Sequence, residues 1–147
     1  MKKFVSGMAL VALLGGCEVP VIVAANQNDG KMTGMFEVTL PAMLLIEAAG
    51  EEQQLLRGEL IGHMNGSAKF NLTGPTWGDC EGQSTKSGYT SMTCENGMAY
   101  AFEAGQQKAK MSGINVTRGV REGHPFVAVF GWGKEANEAA VRAAISG

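Results

Sequence analysis

The chain has 147 residues, a formal charge of −2, 45% hydrophobic residues and 18% charged residues. The length suits one domain, and a charged fraction below the usual ~25% excludes a highly charged disordered chain. Glycine is abundant at 21 residues and follows no G-X-Y period, which excludes collagen and points to many tight turns.

Lys2 and Lys3 precede an apolar run over residues 4–16 (FVSGMALVALLGG). Thirteen residues are too few to span a bilayer, which takes about 20, and the pattern is that of a secretory signal. The run ends in Leu14-Gly15-Gly16-Cys17: an aliphatic residue, two small residues and a cysteine. This resembles the lipobox of bacterial lipoproteins. The resemblance implies that residues 1–16 are removed, that Cys17 carries diacylglycerol on its thiol, and that the protein is held to a membrane by lipid such as palmitate. Each buried lipid CH₂ contributes about 0.8 kcal/mol, so two or three chains anchor stably where one would not. Residue 18 is Glu. It is not the Asp that retains lipoproteins at the inner membrane of enteric bacteria, so the resemblance favours the outer membrane, with the domain in the periplasm or at the cell surface. The mature chain would carry −4, without a Lys/Arg cluster, which makes nucleic acid a poor partner.

Residues 17–30 read as a tether. Its 19–25 stretch is apolar enough to dock, and its Asn/Gln/Asp/Gly tail reads as loop. Residues 31–147 form a single β-rich domain. Phe36, Val38 and Leu40 alternate with Glu37 and Thr39, as on a half-buried strand, and Pro41 is expected to end or interrupt it. Residues 42–49 fit a strand or a short helix equally. Residues 54–64 and 67–73 flank Asn65-Gly66, whose chemistry predicts a hairpin with a type I′ turn.

Cys80 and Cys94 follow, in segments 77–83 and 89–94. In an oxidising compartment such a pair predicts a disulfide. The loop it closes would stabilise the fold by about 3 kcal/mol in the chain-entropy model. Asn96-Gly97 repeats the turn chemistry. Residues 98–103 place Tyr100 and Phe102 on one face. Residues 111–117 alternate through Ile114 and Val116, and 126–130 (FVAVF) is apolar on both faces, as for a covered strand. Residues 134–145 predict a helix with a Glu138–Arg142 pair and an apolar stripe of Ala140, Val141, Ala144 and Ile145.

About seven short strands and one terminal helix predict a mainly β fold: an antiparallel meander forming a curled sheet or small barrel, with one C-terminal α-helix. Behind the lipobox, the paired C-x-G and C-x-x-G turns over residues 55–133 resemble in outline small proteobacterial lipoproteins, a resemblance that carries no activity to transfer.

Residues with possible chemistry are sparse. His63 flanks a turn and His124 precedes a strand, so each reads more simply as exposed than as a general base. A zinc set of Cys80, Cys94, His63 and His124 lacks ligand-like spacing. Asp79 and Glu81 are a candidate carboxylate dyad without a supporting polar motif. Trp77 and Trp132 suit barrel packing, and the alternative is stacking on a partner. Met32 and Met35 are too few for copper, and gap filling is the simpler role. The expectation is no catalytic site, metal or cofactor. The leading reading is a lipid-anchored, non-enzymatic envelope module binding a protein or cell-wall component, and an apolar patch near Trp77 or Trp132 would favour it. The alternatives are a barrel that binds a small ligand in a hollow interior, and a wall-acting hydrolase that joins a histidine to a carboxylate in one cleft.

Overall fold

A computed structural model of the protein describes residues 19–105 and 109–147, so Cys17 and the signal-like segment lie outside the described residues. A helix, α1 (Val19–Gln27), leads into nine strands: β1 (Lys31–Gly34), β2 (Glu37–Ala48), β3 (Gln54–His63), β4 (Ala68–Gly74), β5 (Gly78–Ser84), β6 (Tyr89–Cys94), β7 (Ala99–Glu103), β8 (Gly113–Arg121) and β9 (His124–Trp132). A 3-10 turn at Gly133–Glu135 and a helix, α2 (Glu138–Ile145), close the chain.

All pairings are antiparallel, in the order β7-β6-β5-β4-β3-β2-β9-β8, with β1 also on β2. The sheet curls into a nearly closed barrel whose two edges, β7 and β8, come together. No ladder joins them among the described residues. Instead Arg121 Nε donates to the Ala99 carbonyl at 2.9 Å. The mainly β fold with one C-terminal helix is as its sequence predicts.

Alternation sets what fills the barrel. Leu44, Ile46, Leu56, Phe70, Leu72, Met92, Tyr100 and Phe126 form the interior cluster. The opposite face of β2 and β9 carries Met43, Leu45 and Val129, and these pack beneath Val141 of α2 outside the barrel. This two-sided burial explains why residues 42–49 and 126–130 are apolar on both faces. It also settles residues 42–48 as strand, with Ala49 in the turn that follows. Helix α2 starts at Asn137, whose side chain accepts from the Ala140 N–H at 2.8 Å. It is held to the barrel by Glu138, which pairs with Arg57 and with Arg142 at 2.9 Å each.

Several local expectations change. Strand β2 runs straight through Pro41. On the side of β2 away from β3, β1 ends its ladder at Thr39 and β9 begins at Ala42, so Pro41 falls in a gap with no ladder partner to lose. The Asn65-Gly66 hairpin is present, but its turn is not type I′. The Gly66 N–H donates to His63 O, and only Gly66 has positive φ, at 90°, which is a type I turn closed by a left-handed glycine. Asn96-Gly97 repeats this arrangement, with the Gly97 N–H on Cys94 O. The turn with two positive φ angles is Glu122-Gly123, between β8 and β9. Phe36 does not continue the inward row of Val38 and Leu40. It sits in the β1–β2 turn with φ 59°, largely exposed. The segment read as a tether is helical over Val19–Gln27 and docks through Ala25, which is fully buried against Val38 and Leu40.

Candidate functional site: the open end of the barrel

Register places two unlike ends on the barrel. One end carries the start of β2, the end of β3 and the start of β8. The other carries their opposite termini. The second end is packed shut. Trp77 stacks on Tyr100 with centroids 5.6 Å apart, and Tyr100 meets Phe126 edge-on at 5.2 Å. Cys80 and Cys94 lie directly opposed on β5 and β6, Cα atoms 4.0 Å apart, and form a disulfide within this floor. Arg121 covers it from outside, its guanidinium 4.9 Å from the Tyr100 ring centroid. The Tyr100 hydroxyl is buried with no hydrogen-bond partner among the described residues. Burial raises its pKa above the ordinary 10.0, partly opposed by Arg121.

The first end is hollow. A cavity of about 240 Å³ opens there, walled by apolar side chains of β2, β3, β4 and β9, among them Val38, Leu40, Leu60, Phe70 and Phe130. Val21 of α1 and Met64 of the β3–β4 turn reach its rim. Trp132 stands at the mouth with its indole N–H on the Lys110 carbonyl at 2.9 Å. Phe70 and Phe130 meet at 5.3 Å across the wall. An apolar hollow with few polar groups is the usual form of a small-molecule site.

The polar lining comes from the other side. Thr90 donates to the Ser84 hydroxyl at 3.0 Å. Asn115 and Thr117 of β8 also face the cavity. Their side chains make no hydrogen bond among the described residues. Strand β8 reverses the expected facing: Asn115 and Thr117 point in, while Val116 and Val120 are exposed and Ile114 packs under α2. The alternation of 111–117 was legible, but not which face it would turn inward.

The other sequence-derived candidates are dispersed. His63 lies at the mouth with Nδ1 4.0 Å from the Glu37 carboxylate, and His124 lies at the closed end. They do not converge. Asp79 and Glu81 are exposed on the outer face of β5. Hydrogen bonds with Thr73 and with Glu95, rather than Glu81, hold the Asp79 carboxyl below its ordinary pKa. Trp77 is buried and Trp132 half-buried, and the exposed apolar side chains at Trp132's end of the barrel include Val23, Met35, Phe36 and Met64. Met32 packs against Val38 and Leu40, whereas Met35 is exposed in the turn. Among the described residues, no three His, Cys, Asp or Glu side chains gather as a metal site. The structure thus defines a nearly closed antiparallel barrel with a packed floor and an apolar open end. No protein-family model, curated protein or solved structure matches the chain.

Proposed function

We propose that this protein is a lipid-anchored, non-enzymatic module of the bacterial cell envelope that takes a small apolar molecule into the open end of its barrel. The observation that carries the reading is the cavity of about 240 Å³. An apolar cavity of about 150 Å³ stays dry and binds benzene, so by proportion this one suits roughly ten carbon atoms.

The rim supports a mouth turned toward the membrane. Met35 is 81% exposed and Phe36 65%, and Val23 and Met64 are exposed beside them. All four lie at the hollow end: Met64 lines the cavity, its N–H donates to Phe36 O, and α1 packs on β1 and β2. Phe36 is doubly costly there, apolar in water and left-handed in φ, and strain kept at such a place suggests use. Helix α1 begins two residues after Cys17, so lipid on that cysteine would bring this end to the bilayer. The hydrolase alternative would have to stand on His63 at the mouth, 4.0 Å from the Glu37 carboxylate, with His124 at the opposite end.

The test is fluorescence titration of the purified full-length protein, held in amphipathic polymer, with naphthalene. Saturable one-to-one binding that is lost in Gly62→Leu is the expected result. Gly62 faces the cavity, and a Cβ added there meets nothing closer than the Val38 carbonyl at 3.9 Å. Equal uptake by the two proteins would refute the reading.

A further inference from the structure

We propose that Asn115 and Thr117 make the cavity selective for a neutral apolar molecule bearing one hydrogen-bonding group, such as a hydroxyl, carbonyl or amide. The inference rests on the binding reading above and names the chemistry of its ligand.

Buried polar side chains are nearly always hydrogen-bonded. Thr117 is 9% exposed, Asn115 is half-buried, and both line the cavity without a partner among the described residues, their polar atoms open to the cavity rather than sealed in like the Tyr100 hydroxyl. They are two apart on one strand face, so their polar atoms share one wall. Strand β8 runs from the mouth inward, which puts Asn115 nearer the opening and Thr117 near the middle of the barrel. Thr117 pairs with Ala128, whose small side chain leaves room in front of the hydroxyl.

The pattern of β8 strengthens the case. A strand serving only the core would turn Ile114, Val116 and Val120 inward. Here Val120 is 69% exposed while the interior receives an amide and a hydroxyl. Such an inversion gives up apolar burial on both faces. A ligand atom that accepts from the Asn115 amide, or donates to its carbonyl or to the Thr117 hydroxyl, would restore what the inversion gives up. Among the described residues, the titratable groups that line the cavity are His63 and Lys110, both at the mouth with Glu37 beside His63, and none lines the middle of the barrel. The polar group that fits the wall is therefore neutral.

Naphthalene and 2-naphthol differ by one hydroxyl and match the cavity in size. Both are titrated into the full-length protein, with Gly62→Leu as the background. One net hydrogen bond predicts that 2-naphthol binds about fivefold tighter. In Asn115→Leu/Thr117→Val, which keeps the shape of the wall, the ratio of the two affinities is expected to fall to about one. Equal affinities in the unsubstituted protein would overturn the polar-wall inference while leaving cavity binding in place. A preference that persists in the double variant would also overturn it. Binding of neither compound would overturn the cavity reading and this inference together. Because the first comparison needs no substitution at the wall, a variant that failed to fold would not spare the proposal.

Discussion

Arg121 and Ala99 are joined across the seam of the barrel, guanidinium Nε to carbonyl oxygen at 2.9 Å. Strands β7 and β8 share no ladder, so this hydrogen bond ties the two edges at the closed end, and the same guanidinium lies over Tyr100. Arg121→Ala is expected to cost about 1–2 kcal/mol, less than a full charge-assisted hydrogen bond plus a cation–π contact because both are partly exposed to solvent. Hydrogen exchange should locate the loss, with protection falling first in β7. Lysine at 121 would not restore it, because an ammonium cannot both stack flat on the ring and reach the carbonyl.

Filling the mouth should stabilise the barrel as it blocks it. Gly62→Leu adds a Cβ that meets nothing closer than the Val38 carbonyl at 3.9 Å and extends an apolar side chain into the cavity. Urea unfolding is expected to show a gain of about 1 kcal/mol from the buried area and the lost glycine entropy. A marked loss would mean that the cavity is smaller than its walls describe.

The disulfide contributes through the chain it closes. Cys80 and Cys94 are 14 residues apart in sequence, and Cys80→Ala/Cys94→Ala should lower unfolding free energy by about 3 kcal/mol. Denaturant unfolding with and without reductant checks this: reductant should move the unsubstituted protein to the midpoint of the variant and leave the variant where it was.

Tyr100 gives the barrel an alkaline weakness. Burial raises its pKa above 10.0, so the unfolded chain ionises before the folded one. The stability due to the neutral phenol is fully present below about pH 10 and is lost as pH rises through the higher folded value. Unfolding midpoints should fall over that range in the unsubstituted protein and fall less in Tyr100→Phe. Since the hydroxyl has no well-formed hydrogen bond among the described residues, with Arg121 beside it over the ring, Tyr100→Phe at neutral pH should be neutral or stabilising by up to about 1 kcal/mol.

The membrane address can be read directly. Cells fed labelled palmitate should label the protein at Cys17 and leave Cys17→Ala unlabelled. Absence of label in the unsubstituted protein would remove the lipid anchor from the proposed function.

Much of the fold follows from local rules that a single chain segment carries. Period-two alternation marks the strand over residues 98–103, and the Asn65-Gly66 turn marks those over 54–64 and 67–73. Glycine after asparagine marks the turns at residues 66 and 97. Alanine with a Glu138–Arg142 pair marks α2. The disulfide is legible as a cysteine pair in a chain expected to be exported, each cysteine soon followed by a glycine as at matched strand ends. The tertiary structure decided the rest. Alternation cannot say which face turns inward, and β8 turned its polar face in because its neighbour β9 fixed the register, Thr117 against Ala128. Pro41 was harmless only because two other strands leave a gap beside it. The cavity belongs to no segment: its volume is what remains after side chains from all around the barrel have packed one end. Such a remainder depends on the register of every strand at once.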